Sequence, residues 1–124
     1  MLRILLVDDD DDLRLVVDRQ LTSSGHHVFS AENGKVALRL IECEAVDLVI
    51  TDLLMPDMDG LELITALGQM SKRPRIIAMS GGSGRLDSSY LLHVADLLKV
   101  DKVLNKPFGI AAINAAISEI FVME

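Results

Sequence analysis

A chain of 124 residues, half of them apolar, has the length of one domain and enough hydrophobic side chain to bury a core, which excludes a disordered class. Its formal net charge of −7 argues against nucleic acid or an anionic membrane as partner. Cys43 is the sole cysteine, leaving no internal disulfide and no thiolate cluster for zinc, and the short apolar amino terminus is neither a secretory signal nor a membrane span; a cytoplasmic location is expected.

Arg3 to Val7 is an apolar run of strand length that leads directly into five aspartates, Asp8 to Asp12. A like-charge block alone reads as a solvated tail. Here Leu13, Val16, Val17 and Leu21 follow at spacings of three and four, so a strand, an acidic turn and a helix start are compressed into a few residues. Asp10, Asp11 and Asp12 suit capping and first-turn positions, where negative charge meets the positive end of the helix dipole. Asp8 and Asp9 are left without that explanation.

Further strands are predicted at His27 to Ala31, Asp47 to Thr51, Arg75 to Ser80 and Lys102 to Leu104. Helical segments between and after them carry Val36, Ala37, Leu40 and Ile41; Leu61, Ile64 and Leu67; Leu91, Val94, Ala95 and Leu98; and Ile110, Ile113, Ile117, Ile120 and Phe121. Runs apolar on both faces, such as "LVI" and "IIAM", suit central strands covered on both sides. The alternation predicts an α/β fold, a doubly wound parallel sheet, in a single domain over 1–124.

Sheets of this kind bind ligands at the carboxyl ends of their strands. There the sequence puts Asp8 and Asp9 after the first strand, Asp52 after the third, Ser80 after the fourth and Lys106 after the fifth. Clustered carboxylates repel one another unless a cation or proton intervenes, and Mg2+ suits such oxygen donors while keeping positions for phosphate oxygens. A carboxylate beside such an ion can attack phosphorus, with a lysine and a hydroxyl offsetting the charge of the transferring group. The acidic corner therefore reads as a site that receives phosphate.

"ILLVDDD", "DLVITDLLMPDMDGLELI", "IIAMSGG" and "VLNKPF" resemble, in order and spacing, the motifs of the response-regulator receiver domain of two-component signalling, in its stand-alone form. The resemblance implies a flavodoxin-like sheet of order 2-1-3-4-5 flanked by five helices. It implies Asp52 as phosphoacceptor, Asp8, Asp9 and Asp52 with the Leu54 backbone carbonyl as the magnesium site, Asp9 being the more direct ligand of the first two, and Ser80 and Lys106 as partners of the phosphoryl group. Met55, Pro56 and Gly60 look like the family's turn after the acceptor. The implied partners are a histidine kinase or histidine phosphotransfer protein and a downstream protein target. Such a protein is no enzyme beyond its own phosphorylation and dephosphorylation.

Several positions depart from the family pattern. Val103 stands where an aromatic switch residue is common, so output through a swinging ring is not expected. The segment from Ser80 to Lys106 is longer than the norm and opens with "SGGSGRLDSS", which lacks both G-x-x-x-x-G-K-[ST] and G-x-G-x-x-G and so reads as a flexible loop beside the site. Leu54 and Gly82 cannot orient an attacking water, which predicts a persistent phosphoryl state. His26, His27 and His93 have no metal spacing, and Tyr90 is expected to be partly buried in the fourth helix. A haloacid-dehalogenase-type phosphatase needs a second aspartate two residues beyond the nucleophile, where this chain has Leu54. The remaining alternative is a pseudo-receiver, an interaction module that does not switch by phosphate. From Phe108 onward there is no Lys or Arg, so output is expected through protein contact rather than DNA, from a monomer or a weak homodimer joined by the last helix.

Overall fold

In the computed structural model, residues 1–53, 60–80, 99–106 and 108–121 are described, without the side chains of residues 60, 61 and 80. Five strands, β1 (Arg3–Val7), β2 (His27–Ala31), β3 (Leu48–Asp52), β4 (Arg75–Ser80) and β5 (Lys102–Asn105), form one sheet of order β2-β1-β3-β4-β5. Every pairing is parallel. Four helices are present among the described residues: α1 (Asp11–Ser23), α2 (Gly34–Cys43), α3 (Gly60–Gly68) and α4 (Ile110–Ile120). The expected glycine-rich loop and the helix carrying Tyr90 and His93 lie outside the described residues.

Because successive strand residues point to opposite faces, the apolar runs feed two cores at once. Leu5, Val7, Val49, Ile76 and Ala78 point to one face and pack with Ala37, Ile41, Leu63, Ile64 and Leu67 of α2 and α3. Ile4, Leu6, Leu48, Ile50, Ile77 and Met79 point to the other and pack with Val17, Leu21, Ile113, Ala116 and Ile117 of α1 and α4. Val103 is partly buried against the first core. Such double coverage explains why the central strands read as continuous apolar runs rather than as alternating ones.

Helix boundaries follow from local chemistry. Asp10 caps α1, its Oδ1 accepting from Leu13 N–H at 3.1 Å, and Asp11 and Asp12 fill the first turn. Asn33 caps α2 in the same way, accepting from Val36 N–H at 2.9 Å. At the far end of α1, Gly25 takes φ +96°, with Gly25 N–H donating to Thr22 C=O and His26 N–H to Leu21 C=O. That pair of bonds is a Schellman ending, and its left-handed residue favours glycine.

Three boundaries differ from the sequence reading, one of them the end of β5, which runs a residue further, to Asn105. β3 begins one residue later and ends on Asp52 itself, although Asp47 still bridges Arg3 C=O and Arg75 N–H through its backbone. Assignments at strand and helix ends commonly shift by this much. Gly60, expected in the turn after Asp52, is instead the first residue of α3.

Candidate functional site

Register brings the acidic residues together before any side chain is considered. Val7 pairs with Thr51 at the carboxyl ends of β1 and β3, so Asp8 and Asp52 follow on the next rung. The chain leaves β1 for β2 on one side, while β3 lies on the other; this is the switch point where an open parallel sheet leaves a crevice. Lys106 follows β5 directly, and its long side chain reaches back across β4's end.

Lys106 Nζ donates to Asp52 Oδ2 at 2.7 Å and to Asp8 Oδ2 at 3.0 Å. Asp8 is almost fully buried, at 1% exposure, and its other oxygen accepts from Asp10 N–H at 2.9 Å. Its backbone N–H still bonds Ala31 C=O, which fastens it to the end of β2. Asp9 is exposed. One carboxylate oxygen from each of Asp8, Asp9 and Asp52 lies within 4.8 Å of the others. Opposite oxygen ligands stand about 4.0–4.2 Å apart around Mg2+ and about 4.6–5.2 Å apart around Ca2+, so three donors this close can serve a single divalent ion.

The electrostatics of the cluster are uneven. Burial pushes the Asp8 carboxyl above its ordinary range and the Asp52 charge adds to this; together they outweigh the Asp10 N–H bond and Lys106, which pull it down. Burial alone would lower the Lys106 ammonium, but hydrogen bonds and charge from Asp52, then Asp8, hold it above its ordinary value. The ion pair is thus a compensated one: Lys106 keeps its proton, while Asp8 still bears a desolvation cost that a nearby cation would relieve.

Two further groups shape this corner, and neither was singled out in the sequence. Thr51, fully buried, donates its hydroxyl to Asp52 C=O at 3.0 Å. Arg14 Nη1 donates to Asp8 C=O at 2.6 Å and Nη2 to Asp11 Oδ1 at 2.6 Å. A visible signal for Arg14 was its position: a lone cation in the first turn of a helix stands where the dipole disfavours it.

Of the residues expected here, Asp8, Asp9, Asp52 and Lys106 converge. Ser80 ends β4, paired with Asn105, and its side chain lies outside the described part of the structure. Leu54, Met55 and Pro56 are also outside the described residues. His26 is not near the site: its Nδ1 accepts from Leu2 N–H at the opposite end of the sheet.

A sequence model of the response regulator receiver domain matches residues 4–118. The chain belongs to the response-regulator receiver family. The receiver is 34% identical over 108 residues to the response regulator receiver protein CpdR of Brucella abortus, covering 87% of each chain. It spans only about half the length of other curated relatives, 47% and 48% of two transcriptional regulatory proteins of Bacillus subtilis. Among solved structures, the response regulator TrrA of Thermotoga maritima, in complex with Mg2+ and BeF, superposes with a TM-score of 0.83 at 28% identity, covering 98% of the receiver and 100% of that chain. The chemotaxis protein CheY4 of Vibrio cholerae shares the fold, with a TM-score of 0.87 at 24% identity and coverage of 98% and 99%. Among the described residues no helix of the receiver is long and apolar enough to cross a membrane.

Proposed function

We propose that this receiver accepts a phosphoryl group on Asp52 from a phosphohistidine of a kinase or phosphotransfer protein, with Mg2+ assistance, and signals through protein contacts. The observation that carries the reading is the double hydrogen bond of Lys106 to Asp8 and Asp52, with Asp9 beside them. Support also comes from TrrA, whose structure holds Mg2+ and BeF.

In this reading an Asp52 carboxylate oxygen attacks phosphorus, an O–P bond forms, the donor's N–P bond breaks, and the imidazole leaves with the electron pair. Asp8, Asp9 and Asp52 would hold the metal ion, and the Leu54 carbonyl would be a further donor. When bound, the ion offsets carboxylate charge and the negative charge of the phosphoryl oxygens. Lys106, already protonated and 2.7 Å from Asp52, follows the transferred oxygens and takes up charge that Asp52 gives up on becoming an acyl phosphate. Ser80, at the end of the neighbouring strand, supplies a hydroxyl to the same group. The resulting change of charge at the ends of β3, β4 and β5 biases the surface that the target reads. Leu54 and Gly82 leave no side chain to orient water, so the acyl phosphate is long-lived. One domain over 1–124 in the cytoplasm, as a monomer or weak homodimer, completes the proposal.

The test is incubation with acetyl phosphate or a phosphorylated histidine donor, followed by intact mass. A single phosphoryl adduct is expected with Mg2+, none with chelator, and none on Asp52→Asn. Absence of the adduct from the wild-type protein would instead support a phosphate-independent interaction module.

A further inference from the structure

We propose that Arg14 is a positioning residue for the acidic turn, fixing the peptide between Asp8 and Asp9 so that the Asp9 carboxylate stays within reach of Asp8 and Asp52. The inference rests on the metal-assisted reading of the site.

The turn is tied unevenly. Asp8 is held by its N–H, by one carboxylate oxygen on Asp10 N–H and by the other on Lys106. The Asp9 carboxylate accepts no hydrogen bond and makes no ion pair among the described residues, so its place beside the other two is set by its backbone. That backbone leaves the sheet at Asp8. The Asp8 carbonyl, which defines the plane of the joining peptide, is held by Arg14 Nη1 at 2.6 Å.

The other reason for an arginine here is weaker. Its partner Asp11 is a surface carboxylate, 79% exposed, while the Arg14 side chain is 18% exposed. Exposed pairs of this kind contribute little, and the helix dipole opposes a cation in the first turn. A planar fork can bond the carbonyl and Asp11 together; a lysine has a single ammonium for both.

The sign of the effect separates positioning from charge. If Arg14 acted through its charge alone, removing it would tighten cation binding, because one repulsive charge beside the site would be gone. If it holds the turn, removal loosens binding, and outer partners of metal ligands typically change affinity by about tenfold or more.

Mg2+ titration by calorimetry on wild type, Arg14→Met and Arg14→Lys, with thermal midpoints taken without Mg2+, makes the test. The expected result is Mg2+ binding weakened about tenfold in Arg14→Met, an intermediate affinity in Arg14→Lys, and midpoints without Mg2+ close to wild type. Equal or tighter binding by folded Arg14→Met overturns the inference. Should Arg14→Met fail to fold, Arg14→Lys decides: it keeps the charge and loses the fork, so unchanged affinity overturns the inference and weaker binding supports it. Wild-type protein that binds no Mg2+ overturns the metal-assisted reading, and this inference with it.

Discussion

Asp8 and Asp9 are adjacent and identical in type, yet one is buried and the other exposed. The sequence identified the pair and its strand end, and the resemblance named Asp9 the more direct ligand, but which of the two is buried could not be read, since burial depends on Ala31, Asp10 and Lys106. Arg14's place at a helix start was visible, but its bond to the Asp8 carbonyl was not, because a side-chain bond to a backbone carbonyl leaves no spacing pattern. The uneven burial has a measurable sign. Asp8's native pKa lies above its ordinary 3.8, so native protein takes up this proton at higher pH than unfolded chain does. Its contribution therefore favours the fold fully below the ordinary value and is lost as pH rises through the native one. Asp8→Asn, which cannot ionise, is expected to melt at a higher temperature than wild type near neutral pH without Mg2+. The difference should shrink as pH falls through Asp8's native pKa; thermal melts across pH 3 to 7 check it, and a variant that melts lower throughout would contradict the account.

At the scale of elements, the ends of α1 do different jobs. Its amino end belongs to the site, because the Asp10 cap shares the turn with Asp8 and Asp9. Its carboxyl end is remote, and Gly25 there serves the chain reversal alone. Gly25→Ala places an L side chain at φ +96° and should cost about 1 kcal/mol in urea unfolding. Phosphorylation of Asp52 should be unaffected, since nothing lies within 4 Å of the added methyl. The five strands were legible because Val- and Ile-rich runs alternate with helical periods. The cap of α1 was legible because aspartates precede its helical period, whereas the Asn33 cap of α2 was not singled out. What could not be read was the edge of β3: Asp47 bonds both neighbours through its backbone while standing just outside the strand, a matter of pairing geometry rather than of residue type.

For the whole molecule, the acidic cluster is a cost that folding imposes and that the proposed cation would remove. Mg2+ at ten times its dissociation constant should add about 1.4 kcal/mol to stability by mass action, a rise of about 5 °C in thermal midpoint for a chain this size. Asp9→Ala should abolish most of that rise while changing the midpoint without Mg2+ little, because Asp9 is exposed and makes no hydrogen bond or ion pair among the described residues. An equal rise in both proteins would place the cation elsewhere.

The Lys106 bridge also fixes when the site can exist. Its partners stand 98 and 54 residues earlier in the chain, so the contact closes loops that span most of the sequence. Closing loops of that length is a late event in folding, since the entropy must be paid before the contact returns anything. A nascent chain that has made β1 to β4 already carries all three carboxylates but lacks its ammonium until β5 docks at the sheet's edge. On the proposed function, an incomplete or partly folded copy would lack this ammonium and with it the competence to receive a phosphoryl group, so that the order of the strands would itself be a check on completion.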